Sequence, residues 1–193
     1  HNAKLIAGTK AEGGKEFVGI GSTLEGFGLN EPVYEHMLSL AWDTGISFDA
    51  YIDNIADRHL GRVDANYRAY WHTMVDKVCT THTSTGSAGI INAHPNLEGE
   101  WNWTTELRKG YDINNLDEAI ALLDEVAGKS HYLKFDVVNT HRQSIRNAAL
   151  AVRMRFADAY KAGDRDGMVA ASQEFLGMCD QLVKMLKLCP EYD

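Results

Sequence analysis

The sequence has few cysteines and no long apolar run, and each scarcity excludes a class of protein. Its three cysteines, Cys79, Cys179 and Cys189, are too few and too widely spaced for a disulfide framework. We expect mainly buried thiols, with one disulfide from Cys79 as the alternative. The longest apolar runs, such as 148–152, fall far short of the roughly 20 residues that cross a bilayer. We therefore expect no membrane insertion.

The sequence also lacks any basic run of five or more residues. Its 19 Lys and Arg against 27 Asp and Glu give a net charge of −8. Because nucleic acids and anionic membranes are bound through clustered Lys and Arg, neither partner is expected. With 45% hydrophobic and 24% charged residues, the composition is that of a soluble globular protein. Its 193 residues suit one domain, or one domain with a piece of another.

Several cofactor and catalytic motifs are absent. Gly14-Lys15 is followed by Glu16 rather than by Ser or Thr, so this glycine-rich stretch is no phosphate-binding loop. The eight histidines show neither an HExxH motif nor zinc-ligand spacing. No nucleophile elbow supports a serine hydrolase. The sequence predicts no metal site and no cofactor.

From Pro32 onward the apolar residues recur at helical spacing. Ser47 suits the N-cap of a helix that runs to Leu60, and Gly61 suits its C-terminal turn. Asp64 suits the cap of a helix that runs to Val78, and Asn115 suits the cap of a helix that ends before Gly128. Two longer helices, at about 131–162 and 166–188, are predicted to form a hairpin. Residues 80–111 have no such period and are expected to form a long loop.

One strand is predicted before these helices. The segment Phe17–Ile20 is apolar and bounded by glycines, which is typical of a buried strand, whereas the Gly- and Lys-rich stretch before it shows no capped element. A single strand cannot satisfy its own ladder hydrogen bonds, so either a partner outside this chain or an unrecognised partner strand is expected to flank it. The predicted fold is mainly α, a bundle-like helical domain preceded by a strand remnant.

Glu25 follows this strand in a glycine-rich loop, between Leu24 and Gly26. Catalytic groups of barrel enzymes lie just past the carboxyl ends of strands, so the position suits a catalytic carboxylate. Taken alone the signal is weak, since a Glu in a glycine loop is usually only solvated.

Residues 19–42 resemble the α-N-acetylglucosaminidase family of glycoside hydrolases. The matching positions are Glu25-Gly26, Asn30, Val33-Tyr34, Met37 and Ala41-Trp42. The resemblance continues at 51–61, at Trp71 and Val78, and at 135–143, 159–164 and 172–176. It covers nearly the whole chain and is weakest at 80–111. Asp43, Asn139 and His141 depart from the family pattern and leave open a member with a changed substrate.

This resemblance implies a (β/α)8 barrel followed by an all-α domain. Residues 1–45 would be the end of the catalytic barrel and residues 46–193 the helical C-terminal domain. The chain would thus be the C-terminal part of a longer enzyme, with the rest of the barrel as its partner. Family members act in lysosomes, are secreted or are periplasmic, so export is expected.

The resemblance also implies retaining hydrolysis of glycans with terminal α-linked N-acetylglucosamine, without a cofactor. Glu25 matches the nucleophile, whereas the acid/base carboxyl belongs to an earlier barrel strand, so the isolated chain is expected to be inactive. Trp101 and Trp103 are candidates for stacking on a sugar, with burial at a domain junction as the equal alternative. Asn30 and Tyr34 are candidates for supporting the Glu25 loop. The alternative function is a non-catalytic helical domain that binds a protein or a sugar.

Overall fold

The computed structural model describes residues 2–21, 31–43, 45–79, 97, 112–127 and 133–189. In these ranges it contains α-helices, a short 3-10 turn (Gly14–Glu16) and a π-helical turn (Met74–Val78), and no strand. The α-helices are α1 Asn2–Gly13, α2 Glu31–Ser39, α3 Phe48–Leu60, α4 Ala65–Thr73, α5 Ile113–Ala127, α6 Lys134–Ala162 and α7 Arg165–Leu186. The mainly α fold class is therefore confirmed.

The chain divides into two compact units, His1–His72 and Thr73–Asp193. The predicted boundary between residues 45 and 46 is of another kind, because it separates the end of a barrel from a helical domain. That boundary stays a prediction. None of the described helices is long and apolar enough to cross a membrane.

The prediction of a buried strand at Phe17–Ile20 is wrong for this structure. These residues follow the 3-10 turn without forming a strand, and the side chain of Val18 is 98% exposed. The physical reason is that a strand needs a hydrogen-bonded neighbour, and no strand exists elsewhere in the described ranges.

The segment before it is helical, which the sequence pattern did not predict. Helix α1 spans Asn2–Gly13, and the left-handed Gly14 (φ 51°) follows in the 3-10 turn. Alanine, lysine and leucine favour helices even where one glycine, Gly8, interrupts the run. The Nζ of Lys10 donates a hydrogen bond to the carbonyl oxygen of Ala41 at 3.0 Å, which holds α1 against the chain that leaves α2.

Helix α3 begins and ends as predicted. The Oγ of Ser47 accepts a hydrogen bond from the backbone N–H of Ala50 at 3.2 Å, and Gly61 has the left-handed conformation (φ 73°) that ends the helix. Its buried face consists of Tyr51, Ile52, Ile55, Ala56 and Leu60. The cap of α4 is confirmed too, because Oδ1 of Asp64 accepts from the backbone N–H of Asn66 (3.1 Å) and of Tyr67 (3.3 Å).

Helix α5 begins two residues before the predicted cap. Asp112, not Asn115, caps it, because Oδ1 of Asp112 accepts from the backbone N–H of Asn114 at 2.9 Å. One face of α5 is fully buried and consists of Leu116, Ala119, Leu123 and Val126.

The predicted hairpin of α6 and α7 is confirmed. Gly163 (φ 68°) ends α6, and Oδ1 of Asp164 caps α7 by accepting from the backbone N–H of Gly167 at 3.0 Å. Helix α6 packs against both α5 and α7. Its buried residues include Val138, Ala149, Val152 and Ala157.

The cysteines are thiols, as expected, but burial holds for only part of them. Cys189 is buried, Cys179 is half-buried and Cys79 is exposed at the end of the π-helical turn. The exposure of Cys79 corrects the prediction that the thiols are mainly buried.

Candidate functional site

Of the predicted site residues, the structure describes only Tyr34. Glu25, Asn30, Trp101 and Trp103 lie outside the described ranges. Tyr34 is half-buried in α2, the helix that follows residues 22–30 in the chain. The described part of the site is therefore α2 and the elements that hold it.

An ion pair joins α2 to α3. The Nη2 of Arg58 donates to Oε2 of Glu35 at 2.6 Å. Glu35 directly follows Tyr34 in the chain. Tyr51 lies beside this pair: burial raises the pKa of its hydroxyl, and the negative charge of Glu35 raises it further. The Tyr51 hydroxyl therefore stays protonated and acts by packing and hydrogen bonding.

His36 holds α2 to α3 through its ring. Its side chain is only 8% exposed, and its ring centroid lies 5.0 Å from that of Phe48 and 4.9 Å from that of Tyr51. Burial lowers the pKa of His36, and its Nε2 is buried without a hydrogen-bond partner among the described residues. The ring is therefore neutral at pH 7 and packs as an aromatic side chain.

A polar network links α3 to α4. The Nε of Arg68 donates to Oδ1 of Asp57 at 2.9 Å, and a second, short contact joins Nη2 to Oδ2 of the same carboxylate. The Nη1 of Arg68 also donates to Oδ2 of Asp53 at 3.1 Å, and Nε2 of His72 lies 2.9 Å from Oδ1 of Asp53. One guanidinium thus bridges two carboxylates of the neighbouring helix.

This network suits positioning rather than proton transfer. The hydrogen bond from Arg68 lowers the pKa of Asp57, and the bond to Asp57 raises the pKa of Arg68. Both groups are consequently charged at pH 7, whereas a general acid needs a pKa close to the working pH. Sequence reasoning missed the network, although its members follow i, i+4 spacing on each helix: Asp53 and Asp57 on α3, and Arg68 and His72 on α4.

The two α6 residues that depart from the family pattern each have a partner. Oδ1 of Asn139 accepts from Nη2 of Arg142 at 2.6 Å, and Nε2 of His141 lies 3.0 Å from Oδ1 of Asp124 in α5. Gln143, which matches the family, donates through Nε2 to Oδ1 of the buried Asn147 at 3.1 Å. These departures are therefore accommodated by contacts within α6 and to α5.

The residues on either side of the segment 80–111 are tied together. The Nζ of Lys77, in the π-helical turn, lies 2.8 Å from both carboxylate oxygens of Glu118 in α5. The Nδ2 of Asn115 also donates to the carbonyl oxygen of Lys77 at 3.4 Å. The residues that precede and follow the tryptophan-containing segment are therefore held close to each other.

No group of three or more His, Cys, Asp or Glu side chains is arranged to hold a metal ion in the ranges that the structure describes. The carboxylates of Asp53 and Asp57 instead form ion pairs with Arg68.

The family model described as the alpha-N-acetylglucosaminidase (NAGLU) C-terminal domain matches residues 51–192. A comparison with curated proteins finds no significant match. The family match begins in α3, includes the Arg68 network of α4 and the α6–α7 hairpin, and spans about three quarters of the chain. The chain therefore belongs to the family of alpha-N-acetylglucosaminidase C-terminal domains.

Proposed function

We propose that this chain is the C-terminal part of a retaining glycoside hydrolase that removes terminal α-linked N-acetylglucosamine from glycans. The observation that carries the proposal is the family match over residues 51–192. The resemblance of residues 19–42 to the nucleophile region of the same family supports it independently, because those residues precede the matched range.

In this proposal Glu25 is the nucleophile. Its carboxylate attacks the anomeric carbon while the bond to the leaving oxygen breaks, and a second carboxyl group protonates that oxygen. The second group then removes a proton from water, which hydrolyses the glycosyl-enzyme intermediate. Retaining enzymes need the two groups about 5–5.5 Å apart. Since the second group would come from an earlier barrel strand, we expect the 193-residue chain alone to be inactive.

Four further residues would shape the substrate cleft. Trp101 and Trp103 are proposed to stack on the sugar, and Asn30 and Tyr34 to support the loop of Glu25. Support for Tyr34 comes from its neighbours, because Glu35 and His36 hold α2 to α3 through an ion pair and ring packing. A helix fixed in this way gives residue 34 a constant position.

The proposed partners follow from the same activity. They are a glycan with terminal N-acetylglucosamine and the rest of the catalytic barrel, and the enzyme would be secreted, periplasmic or lysosomal. The net charge of −8 argues against a nucleic-acid partner.

A second candidate is a non-catalytic helical domain that binds a protein or a sugar. One observation favours it: the family match begins at residue 51, so it covers helical residues and not Glu25. The two candidates differ in what a change at Glu25 does to hydrolysis.

The deciding experiment is hydrolysis of an aryl α-N-acetylglucosaminide by the full-length parent enzyme carrying Glu25→Gln. Removal of the nucleophile is expected to lower kcat on the order of 10³-fold or more. Glu16→Gln is the matched control, because Glu16 is an exposed glutamate of the same unit. Full activity of the Glu25→Gln enzyme would exclude the nucleophile assignment.

Azide distinguishes a lost nucleophile from a damaged fold. In a Glu25→Gly enzyme, azide can enter the space of the carboxylate and displace the aryl group, with inversion at the anomeric carbon. We expect a β-glycosyl azide from the α-linked substrate. A variant that remains inactive with azide, while retaining the melting temperature of the parent, would count against Glu25 as the attacking group.

A further inference from the structure

The buried side of helix α2 contains one group that can take up a proton. Pro32, His36 and Leu40 are buried and recur every four residues, so they form one side of α2 and of the turn that follows it. Pro32 and Leu40 are apolar at every pH. Only His36, of these three, can change its charge between pH 5 and pH 8.

The surroundings of the His36 ring suit its neutral form. The ring planes of His36 and Phe48 meet at 64°, and those of His36 and Tyr51 at 54°. The Nε2 of His36 is buried and has no hydrogen-bond partner among the residues that the structure describes. On protonation both ring nitrogens become donors and the ring becomes positive, and a buried charge without a partner is strongly unfavourable.

The charges at the junction of α2 with α1 and α3 do not offset a proton on His36. Glu35 of α2 is paired with Arg58 of α3, and Lys10 of α1 adds a positive charge. The hydroxyl of Tyr51 is neutral because burial raises its pKa. Burial, and after it the positive charge of the N-terminal amino group, lowers the pKa of His36.

The polar link between α2 and α3 is weaker than the link between α3 and α4. The side chains of Glu35 and Arg58 are 37% and 54% exposed, and an ion pair so exposed stabilises little. Arg68 of α4, by contrast, binds the carboxylates of both Asp53 and Asp57 on α3. Loss of the His36 contact therefore weakens the attachment of α2 more than that of α3.

We propose that His36 is an acid-sensitive latch: a proton taken up from water by its ring releases α2 from α3, while α3 and α4 stay joined. In the released state the ring is hydrated and binds a proton as an ordinary imidazole does. The released state is therefore favoured as the pH falls below about 6.5. Because α2 carries Tyr34, the latch makes the position of this residue depend on pH. The latch does not depend on the proposed hydrolysis.

Amide hydrogen exchange of the 193-residue chain tests the latch directly. Protection factors are compared at pH 7.5 and pH 5.5, because they remove the intrinsic pH dependence of exchange. Those of residues 35–40 are expected to fall several-fold, and at most about 10-fold, the gain in proton binding of a free imidazole over this range. Those of α6 and α7 are expected to stay within about 2-fold, since they lie in the other compact unit.

Two variants assign the response to His36. His36→Phe retains an aromatic ring and removes the proton site, so the protection of residues 35–40 is expected not to change with pH. A constant change in the stability of α2 cancels, because only the change with pH is compared. His141→Phe is the matched control: it removes the imidazole that contacts Asp124 in the other unit, and it is expected to keep the wild-type response of α2.

Three results would overturn the proposal. The first is a wild-type chain in which the protection of residues 35–40 is the same at both pH values. The second is an equal fall in the wild type and in His36→Phe, because another group would then be responsible. The third is an equal fall in α2, α6 and α7, which would mean that the whole chain opens rather than α2 alone.

Discussion

At the scale of single residues, His36 shows how burial decides the charge of a side chain. In water, an imidazole is half protonated near pH 6.5. Between the rings of Phe48 and Tyr51 the protonated form loses its hydration, and the pKa of His36 is lowered. In the contact between α2 and α3, the charged groups of Glu35 and Arg58 are paired with each other.

This lowered pKa predicts a pH-dependent stability. Below about pH 6.5 the unfolded chain takes up a proton at His36 that the folded chain resists, so the free energy of unfolding falls as the pH decreases. Above that pH both states are neutral at His36 and it contributes no slope. We expect His36→Phe to flatten the decline in melting temperature between about pH 7.5 and pH 5, because phenylalanine does not titrate.

The comparison uses slopes rather than absolute stability, so a packing change in His36→Phe does not affect the result. All other residues are the same in the two proteins, so their contributions to the slopes cancel. Equal slopes for the two proteins would show that His36 takes up a proton as readily in the folded chain as in the unfolded chain, which would contradict its lowered pKa.

The network around Arg68 shows how far sequence reasoning reaches at this scale. The i, i+4 spacing of Asp53 and Asp57 places both on one face of α3 and is readable from the sequence. Asp53 and Asp57 face Arg68 because of the way α4 packs against α3, and no local sequence pattern predicts that packing. For the catalytic site, the resemblance supplied Glu25, and the structure adds only the surroundings of Tyr34.

At the scale of elements, glycines have opposite effects in the α6–α7 hairpin. Gly163 takes a left-handed conformation at the turn, where a side chain is strained. Gly177 lies within α7, and a Cβ added there would meet no atom within 4 Å. The first glycine is required by the backbone, whereas the second only lowers helix propensity.

These positions predict opposite outcomes for the same substitution. Gly163→Ala is expected to lower the free energy of unfolding by about 1–2 kcal/mol, the cost of a left-handed residue with a Cβ. Gly177→Ala is expected to raise it by about 0.5–1 kcal/mol. Urea unfolding of the two variants beside the wild type measures both. Changes of the same sign in both variants would contradict the conformational argument.

The helices with local end signals were the ones predicted well. Ser47, Gly61 and Gly163 act on backbone groups within a few residues, so sequence alone locates the ends of α3 and α6. The predicted strand at Phe17–Ile20 depends instead on neighbouring strands, and apolar composition cannot supply them. Helix α1 was missed because Gly8 interrupts, and Gly13 ends, an otherwise favourable run of residues.

At the scale of the whole molecule, charge governs behaviour in solution. The chain carries a net charge of −8 at pH 7 and has an isoelectric point of about 5.4. Like charges keep molecules apart away from this pH, and this repulsion vanishes close to it. Apolar surface such as the exposed side chains of Val169, Leu176 and Val183 then meets less resistance to association.

We therefore expect light scattering from concentrated solutions to reach its maximum near pH 5.4. Lys15→Glu replaces an exposed positive charge by a negative one and is expected to move the maximum to lower pH. A maximum that does not move with this variant would mean that unfolding, rather than loss of charge, causes the association.

The position of α6 in its unit also has a consequence in time. Helix α5 can separate while α6 keeps its contact with α7, and α7 can separate while α6 keeps its contact with α5. Helix α6 cannot open without ending both contacts. Local opening begins where the fewest contacts are lost. Helix α6 is thus the last of these three helices to open, and its backbone remains closed while its neighbours fluctuate.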